Sequence, residues 1–186
     1  VDYSGLEPDG LYLEGTGAMV LDHIDRVAYA VRSDRTDPIA LERFCTQFNF
    51  EPMVFEARDG QGMRMLQDAG VTLAIITGRR SNCVAHRAHN LGIDLLFQGV
   101  HDKHAVMADL LKRRGLTFAE AGYMGDDVVD LPVMRACGFS ATPANGHAVV
   151  KQYATLTTQL KGGEGAVREV CDHLLAAQDR LEAALA

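Results

Sequence analysis

Two apolar runs, each ending abruptly in small and polar residues, constrain the fold of this chain more than any other feature. Residues 73–79 read Leu-Ala-Ile-Ile-Thr-Gly-Arg, and residues 121–130 read Ala-Gly-Tyr-Met-Gly-Asp-Asp-Val-Val-Asp. Such runs are typical of buried parallel strands, which present functional side chains at the carboxyl edge of their sheet. The sequence therefore predicts a parallel sheet with its chemistry along one edge.

Apolar strand-like runs and helical patterns alternate from residue 71 onward. The pattern predicts strands over residues 71–77, 94–97, 121–124 and 139–142. It predicts helices from Ser81 to Leu91, from Asp102 to Gly115 and over Leu131–Ala136, and one long helix from Gly165. This alternation is typical of an α/β fold, with a Rossmann-like parallel sheet and helices on both of its faces.

The first 57 residues have a different character. Strand-like runs at residues 18–21 and 26–31 predict a hairpin, residues 38–48 a helix, and residues 53–55 a short strand. The chain therefore divides into a segment 1–57 and a core 58–186. If the core lacks a central strand, one of the two hairpin runs is expected to replace it, because both are apolar enough to be buried.

Composition argues against several classes of protein. The 18 Lys and Arg residues against 25 Asp and Glu residues give a formal charge of -7, which disfavours a nucleic-acid-binding surface. No apolar run approaches the roughly 20 residues that cross a bilayer, so no membrane association is expected. The four cysteines are scattered without a Cys-x-x-Cys motif, which predicts reduced thiols in a cytoplasmic protein.

The first candidate site is Thr77-Gly78-Arg79, at the end of a predicted strand. A hydroxyl, backbone N–H groups and a guanidinium suit a phosphate oxygen, although such residues also close ordinary strand-to-helix turns. Lys103 opens a predicted helix, where a cation is unfavourable against the helix dipole. Its position predicts a negatively charged partner, such as a phosphoryl group.

The second candidate site is Gly125-Asp126-Asp127, with Asp130 close behind. Two adjacent carboxylates repel each other unless a cation lies between them, and Mg²⁺ prefers such oxygen ligands. Asp126 is the better candidate ligand. Asp127 and Asp130 could instead cap the next helix.

The order of Thr77, Lys103 and Gly-Asp-Asp resembles motifs two to four of the haloacid dehalogenase superfamily. Residues 58–186 resemble its capless branch, the 3-deoxy-D-manno-octulosonate 8-phosphate phosphatases, through Arg58-Asp-Gly, Ile-Ile-Thr-Gly-Arg79 and Gly165-Ala-Val-Arg-Glu. The resemblance implies a Mg²⁺-dependent phosphatase of lipopolysaccharide biosynthesis, cytoplasmic and tetrameric. It implies catalytic roles for Thr77 and Lys103, metal ligation by Asp126 and Asp127, and contacts to a phosphorylated sugar acid from Arg58, Asp59, Gly60, Arg64, Gly78, Arg79 and Arg87.

Two departures from that family affect the expected activity. The Asp-x-Asp motif that carries the nucleophile is missing from its usual place, and Asp2 is the best remaining candidate. Ser4 then stands where the general acid belongs, and the alternative, Asp22, has no acid two residues later. Glu164 replaces an arginine expected to hold the carboxylate of the sugar acid.

Residues 1–57 resemble instead the amidinotransferase-like citrulline and arginine hydrolases, in Tyr12-Leu-Glu-Gly-Thr-Gly and the residues that follow. The cysteine and histidine that those enzymes need would lie beyond the matching segment. Three functions are therefore open: an impaired phosphatase, an inactive relic of one and, ranked lowest, a guanidine-modifying hydrolase.

Overall fold

The computed structural model describes residues 19–22, 26–32 and 38–185. The chain divides into two compact units between Ala57 and Arg58. Asp2, the candidate nucleophile, and Ser4 lie outside the described residues. Within the described ranges, no helix has the length and apolar character needed to cross a membrane.

The first unit is built on a three-stranded sheet. Strands β1 (Met19–Asp22) and β2 (Val27–Arg32) form an antiparallel pair, and β3 (Glu51–Glu56) lies parallel to β2 after helix α1 (Pro38–Phe48). The predicted hairpin and helix are confirmed. Because β1 and β2 belong to a sheet of their own, the prediction that either run completes the sheet of the core is wrong.

The second unit alternates strands and helices, which confirms the α/β class. Two strands, β4 and β5, form one parallel sheet, and three more, β6 to β8, form another in sequential order. The strands are β4 (Ala74–Thr77), β5 (Leu95–Gln98), β6 (Gly122–Met124), β7 (Phe139–Thr142) and β8 (Leu156–Thr157). The helices are α2 (Ala57–Asp68), α3 (Asn82–Asn90), α4 (Lys103–Arg114), α5 (Leu131–Ala136), α6 (Ala148–Tyr153), α7 (Ala166–Ala177) and α8 (Leu181–Leu185), with 3₁₀ turns at Phe118–Glu120 and Val128–Asp130.

Some elements differ from the sequence-based expectation. Helices α2 and α6 and strand β8 were not predicted, and β4 begins three residues later than expected. The prediction of a single long carboxyl-terminal helix is wrong, because the helix is interrupted between α7 and α8. Asp179 there adopts a left-handed backbone with φ 55°, which no α-helix accommodates.

Helix α4 has the terminal signals that its sequence predicts. The Asp102 carboxylate accepts a hydrogen bond from the backbone N–H of Ala105 at 2.9 Å, and Gly115 ends the helix with φ 67°. Its buried face carries Met107, Leu110 and Leu111. These caps fix where the helix begins, and its first residue is Lys103.

Removing the cap of α4 is expected to destabilise the chain. Asp102→Ala should lower the free energy of unfolding by about 1 kcal/mol, because an N–H of the first turn loses its acceptor. Denaturant unfolding measures the change. Asp109→Ala, which breaks only the exposed pair with Arg113, is the matched control and should change stability by less than half as much. Equal effects of the two substitutions would contradict the capping role.

Candidate active site

Asp130 is the centre of a buried polar cluster behind the Gly-Asp-Asp sequence. Its side chain is only 3% exposed. Oδ1 accepts hydrogen bonds from Lys103 Nζ at 2.6 Å and from the Tyr123 hydroxyl at 3.1 Å. Oδ2 accepts from the backbone N–H groups of Asp126 at 3.1 Å and Asp127 at 3.2 Å. One carboxylate therefore fixes both the Lys103 side chain and the turn that carries the two aspartates.

The local sequence explains how this cluster forms. Strand β6 ends at Met124, and Gly125 follows with its backbone N–H donating to Ala141 of β7 at 3.0 Å. A Cβ at residue 125 would overlap the Asp130 side chain, so only glycine allows the carboxylate to fold back over the turn. The chain then enters the 3₁₀ turn Val128–Asp130, which brings Asp130 beneath the acidic pair.

Tyr123 contributes a permanent hydrogen-bond donor to the cluster. Burial raises the pKa of its phenol, and the nearby Asp130 carboxylate raises it further. The hydroxyl therefore stays protonated throughout the physiological pH range and donates to Asp130. Lys103 and Tyr123 share the same oxygen, so the tyrosine also limits where the ammonium group sits.

Asp126 and Asp127 differ in what their side chains do. Both are exposed. The Asp127 carboxylate accepts from the Val128 N–H at 2.7 Å and caps the 3₁₀ turn. The Asp126 carboxylate makes no hydrogen bond with any residue that the structure describes, while its backbone carbonyl accepts from the His147 N–H at 2.8 Å. Asp126 is therefore the acid of the pair whose carboxylate has no hydrogen-bond partner among the described residues.

Thr77 ends β4 and also closes the turn that follows. Its hydroxyl oxygen accepts from the Arg79 N–H at 3.2 Å, and its carbonyl accepts from the Val100 N–H at 3.0 Å. Gly78 and Arg79 are exposed. Thr77 therefore closes the strand-to-helix turn, as its sequence context allowed. Its hydroxyl oxygen acts there as an acceptor, so the hydroxyl proton is still available to donate to a phosphate oxygen.

The residues predicted to contact a sugar at the start of the core lie in α2. The Asp59 carboxylate accepts from the Arg168 N–H at 2.9 Å and so caps the first turn of α7. The Arg64 guanidinium donates to the Asn90 carbonyl at 2.8 Å. A Cβ at Gly60 would overlap the Arg87 guanidinium, so glycine allows that side chain to approach the helix. Asp59 and Arg64 therefore both hold helices together, and contacts from this group to a sugar stay a prediction.

Two residues of the site were missed by sequence reasoning. Asp130 was considered as a metal-site neighbour or a helix cap, and Tyr123 only as a strand residue. The one available signal was the unfavourable position of Lys103 in the first turn of its helix, which predicted a partner without identifying it.

The second unit thus carries Thr77 at the end of one parallel strand, and Lys103 paired with Asp130 after two others. The chain is 44% identical to the 3-deoxy-D-manno-octulosonate 8-phosphate phosphatase of Yersinia pestis over 134 residues, which are 72% of each protein. It therefore belongs to the 3-deoxy-D-manno-octulosonate 8-phosphate phosphatase family.

Solved structures agree with this assignment. The 3-deoxy-D-manno-octulosonate 8-phosphate phosphatase of Moraxella catarrhalis was solved in complex with magnesium, phosphate and 3-deoxy-D-manno-octulosonate. It is 40% identical to this chain, with a TM-score of 0.67, and the match covers 68% of this chain and 72% of the Moraxella chain. A protein from Vibrio cholerae described as a putative phosphatase of the same name is 31% identical, with a TM-score of 0.68. The match covers 97% of this chain and 93% of the Vibrio chain.

The amino-terminal part has a different relative. The sequence profile of eukaryotic N,N-dimethylarginine dimethylhydrolases matches residues 1–81. This match is less than half of the chain and extends past Ala57 into the core. It gives weak support to the resemblance between residues 1–57 and the amidinotransferase-like hydrolases.

Proposed function

We propose that the chain is a magnesium-dependent phosphomonoesterase that acts on a sugar-acid phosphate of the 3-deoxy-D-manno-octulosonate 8-phosphate type. The observation that carries the proposal is the part-buried Lys103–Asp130 pair beside the exposed carboxylate of Asp126. We further propose that the reaction is slow, because the Asp-x-Asp sequence of the nucleophile is missing and segment 1–57 replaces that region. Three further properties stay predictions from the family: a cytoplasmic location, a homo-oligomeric state and a role in lipopolysaccharide biosynthesis.

Lys103 is the proposed electrostatic group of the reaction. Its side chain is 15% exposed, and Asp130 uses one of its three N–H donors. The remaining donors are suited to a phosphoryl oxygen and to the attacking carboxylate, whose negative charges the ammonium group offsets. The Thr77 hydroxyl, the Gly78 N–H and the Arg79 guanidinium are proposed to bind a second phosphate oxygen.

The donor set fits a hard cation only in part. Mg²⁺ is often held by one or two carboxylates with several waters, and Asp126 offers one such carboxylate with Asp127 next to it. Among the described residues, no three His, Cys, Asp or Glu side chains gather into a metal site. When bound, the ion would supply charge stabilisation for the transferring phosphoryl group.

Magnesium binding to this chain is therefore expected to be weak. A site to which only the Asp126 carboxylate is available lacks the charged ligands that a tight site requires. Isothermal titration calorimetry with MgCl₂ should show a shallow isotherm, and Asp126→Asn should remove it. Glu164→Gln, which removes a similarly exposed acid elsewhere, is the control. A tight isotherm that is lost in Asp126→Asn would show that a second carboxylate completes the site.

The nucleophile within the chain is proposed to be Asp2, with Ser4 in place of the general acid. A serine hydroxyl has no suitable pKa for protonating the leaving alkoxide, so turnover would be slow even if phosphorylation of Asp2 occurred.

The proposed sugar contacts are Arg58, Asp59, Gly60, Arg64, Arg79 and Arg87. Because Glu164 reverses the charge expected near the substrate carboxylate, a panel of sugar phosphates with and without a carboxylate tests substrate choice.

The second candidate is a non-catalytic relative that keeps the fold. The missing Asp-x-Asp sequence favours it. A phosphate-release assay with magnesium separates the two, since only the enzyme releases phosphate above the blank. A guanidine-modifying hydrolase ranks lowest, because the cysteine and histidine that this chemistry needs are expected well beyond residues 1–57.

A further inference from the structure

Three segments lie side by side along the carboxyl edge of the sheet that β6, β7 and β8 form. These strands are parallel, so the residues that follow each of them are at the same edge. Asp126 follows β6, a connecting turn at residues 143–147 follows β7, and an outer loop at residues 158–164 follows β8. Ligands of α/β folds bind at this edge. The connecting turn and the outer loop are therefore the outward neighbours of Asp126.

The connecting turn is fixed to Asp126 on its inner side. The His147 N–H donates to the Asp126 carbonyl at 2.8 Å. A Cβ at Gly146 would overlap the hydroxyl of Thr142, which is fully buried, so glycine allows the turn to pack against the end of β7. The position of the turn is therefore set by the same residues that carry the candidate metal ligand.

The connecting turn also holds the outer loop. The Asn145 side-chain oxygen accepts a hydrogen bond from the Gly162 N–H at 2.8 Å. The Ala144 N–H donates to the Leu160 carbonyl at 3.0 Å. These two contacts fix the residues on either side of Lys161, and Asn145 provides the one that comes from a side chain.

Lys161 is the only cation in the sequence of the outer loop. Its side chain is exposed and makes no ion pair with any residue that the structure describes. Glu164, also exposed, is the acid of the same loop, and its backbone N–H donates to the Lys161 carbonyl at 3.0 Å. Because its neighbours Leu160 and Gly162 are already held, less ordering is needed when the ammonium meets a ligand.

We propose that Lys161 is a specificity-determining residue that binds an anionic group of the substrate away from its phosphate, and that Asn145 is the residue that positions it. The proposal rests on the proposed function, because it takes the phosphate to be bound beside Asp126. A sugar-acid phosphate carries two anionic groups separated by its carbon chain. The edge from Asp126 to the outer loop offers a place for each, and Lys161 supplies the positive charge that Glu164 does not.

Isothermal titration calorimetry of the full chain in MgCl₂ tests the proposal with two ligands. They are 3-deoxy-D-manno-octulosonate 8-phosphate and glucose 6-phosphate, which has no carboxylate. Lys161→Gln should weaken binding of the first by about tenfold, because a charge-assisted contact is lost, and of the second by less than about twofold. Lys112→Gln, which removes an exposed lysine in the last turn of α4, is the matched control and should change neither.

Asn145→Ala tests the positioning role. It should weaken binding of the sugar-acid phosphate by about threefold, because the outer loop must then be ordered on binding. Amide hydrogen exchange at Gly162 should become about threefold to tenfold faster, and Asn145→Asp, which keeps an acceptor oxygen, should restore the parent rate. Magnesium and glucose 6-phosphate should bind Asn145→Ala as they bind the parent chain, whereas a merely structural role would weaken all three ligands together.

Two results would overturn the proposal. One is equal weakening of the two sugar phosphates in Lys161→Gln, and the other is unchanged binding of the sugar-acid phosphate in either variant. Phosphate release by the parent chain separates this proposal from the proposed function. Selective weakening without any release would keep the role of Lys161 and remove the enzyme, whereas release without selective weakening would do the reverse. A parent chain that does not bind the sugar-acid phosphate would contradict both.

Discussion

Asp130→Ala is expected to lower the free energy of unfolding by about 3–5 kcal/mol, the usual effect of breaking a buried ion pair from one side. The Lys103 ammonium, 15% exposed, would lose its partner, and the Tyr123 hydroxyl would lose its acceptor. The N–H groups of Asp126 and Asp127 would also lose their acceptor, and part-buried donors without acceptors are destabilising. Denaturant unfolding of the purified chain measures the loss.

Two further variants separate charge from shape in this experiment. Asp127→Ala removes one exposed cap and should change stability by about 1 kcal/mol. Lys103→Met in the Asp130→Ala background should recover part of the loss, because it removes the unpaired charge. If Asp130→Ala and Asp127→Ala destabilise equally, or if the double variant recovers nothing, Asp130 does not organise the cluster.

Asp126→Asn is expected to reduce magnesium-dependent phosphate release by about 10²-fold or more. A bound cation contributes several kcal/mol of charge stabilisation to phosphoryl transfer, and Asp126 is the carboxylate available to hold it. Stability should hardly change, because its exposed side chain makes no hydrogen bond with the described residues. Phosphate release at saturating magnesium measures the loss, and circular dichroism checks the fold.

Asp127→Asn is the matched control for that substitution. An asparagine keeps an oxygen that can accept from the Val128 N–H, so the turn is preserved while one charge is removed. A smaller loss is expected than for Asp126→Asn. Equal losses would mean that both carboxylates hold the metal, and no loss in either variant would contradict a magnesium site at this turn.

Local signals in the sequence were sufficient for the elements that carry their own boundaries. Helix α4 was predicted from Asp102 and Gly115, and both residues cap it in the structure. Helix α2 was missed because its first turns contain Gly60 and Gly62, which lower helix propensity. What holds that region is the Asp59 contact with Arg168, and no local pattern reveals a partner 109 residues away.

The candidate site was predictable to a similar extent. The strand ends identified Thr77 and Asp126, because an apolar run that stops in polar residues is a local pattern. The role of Asp130 depends on how the turn after Gly125 folds back and on a lysine 27 residues earlier in the chain. Such contacts between distant residues require the folded structure, and so did the separation of β4 from β6.

Phosphate release from 3-deoxy-D-manno-octulosonate 8-phosphate tests the proposed function most directly. The purified chain should release phosphate slowly in the presence of magnesium and stop when the ion is removed with a chelator. The same assay on a sugar phosphate that has no carboxylate group reports the effect of Glu164 on substrate choice. Absence of release above the blank, or release that persists at an unchanged rate in the chelator, would contradict a magnesium-dependent phosphatase.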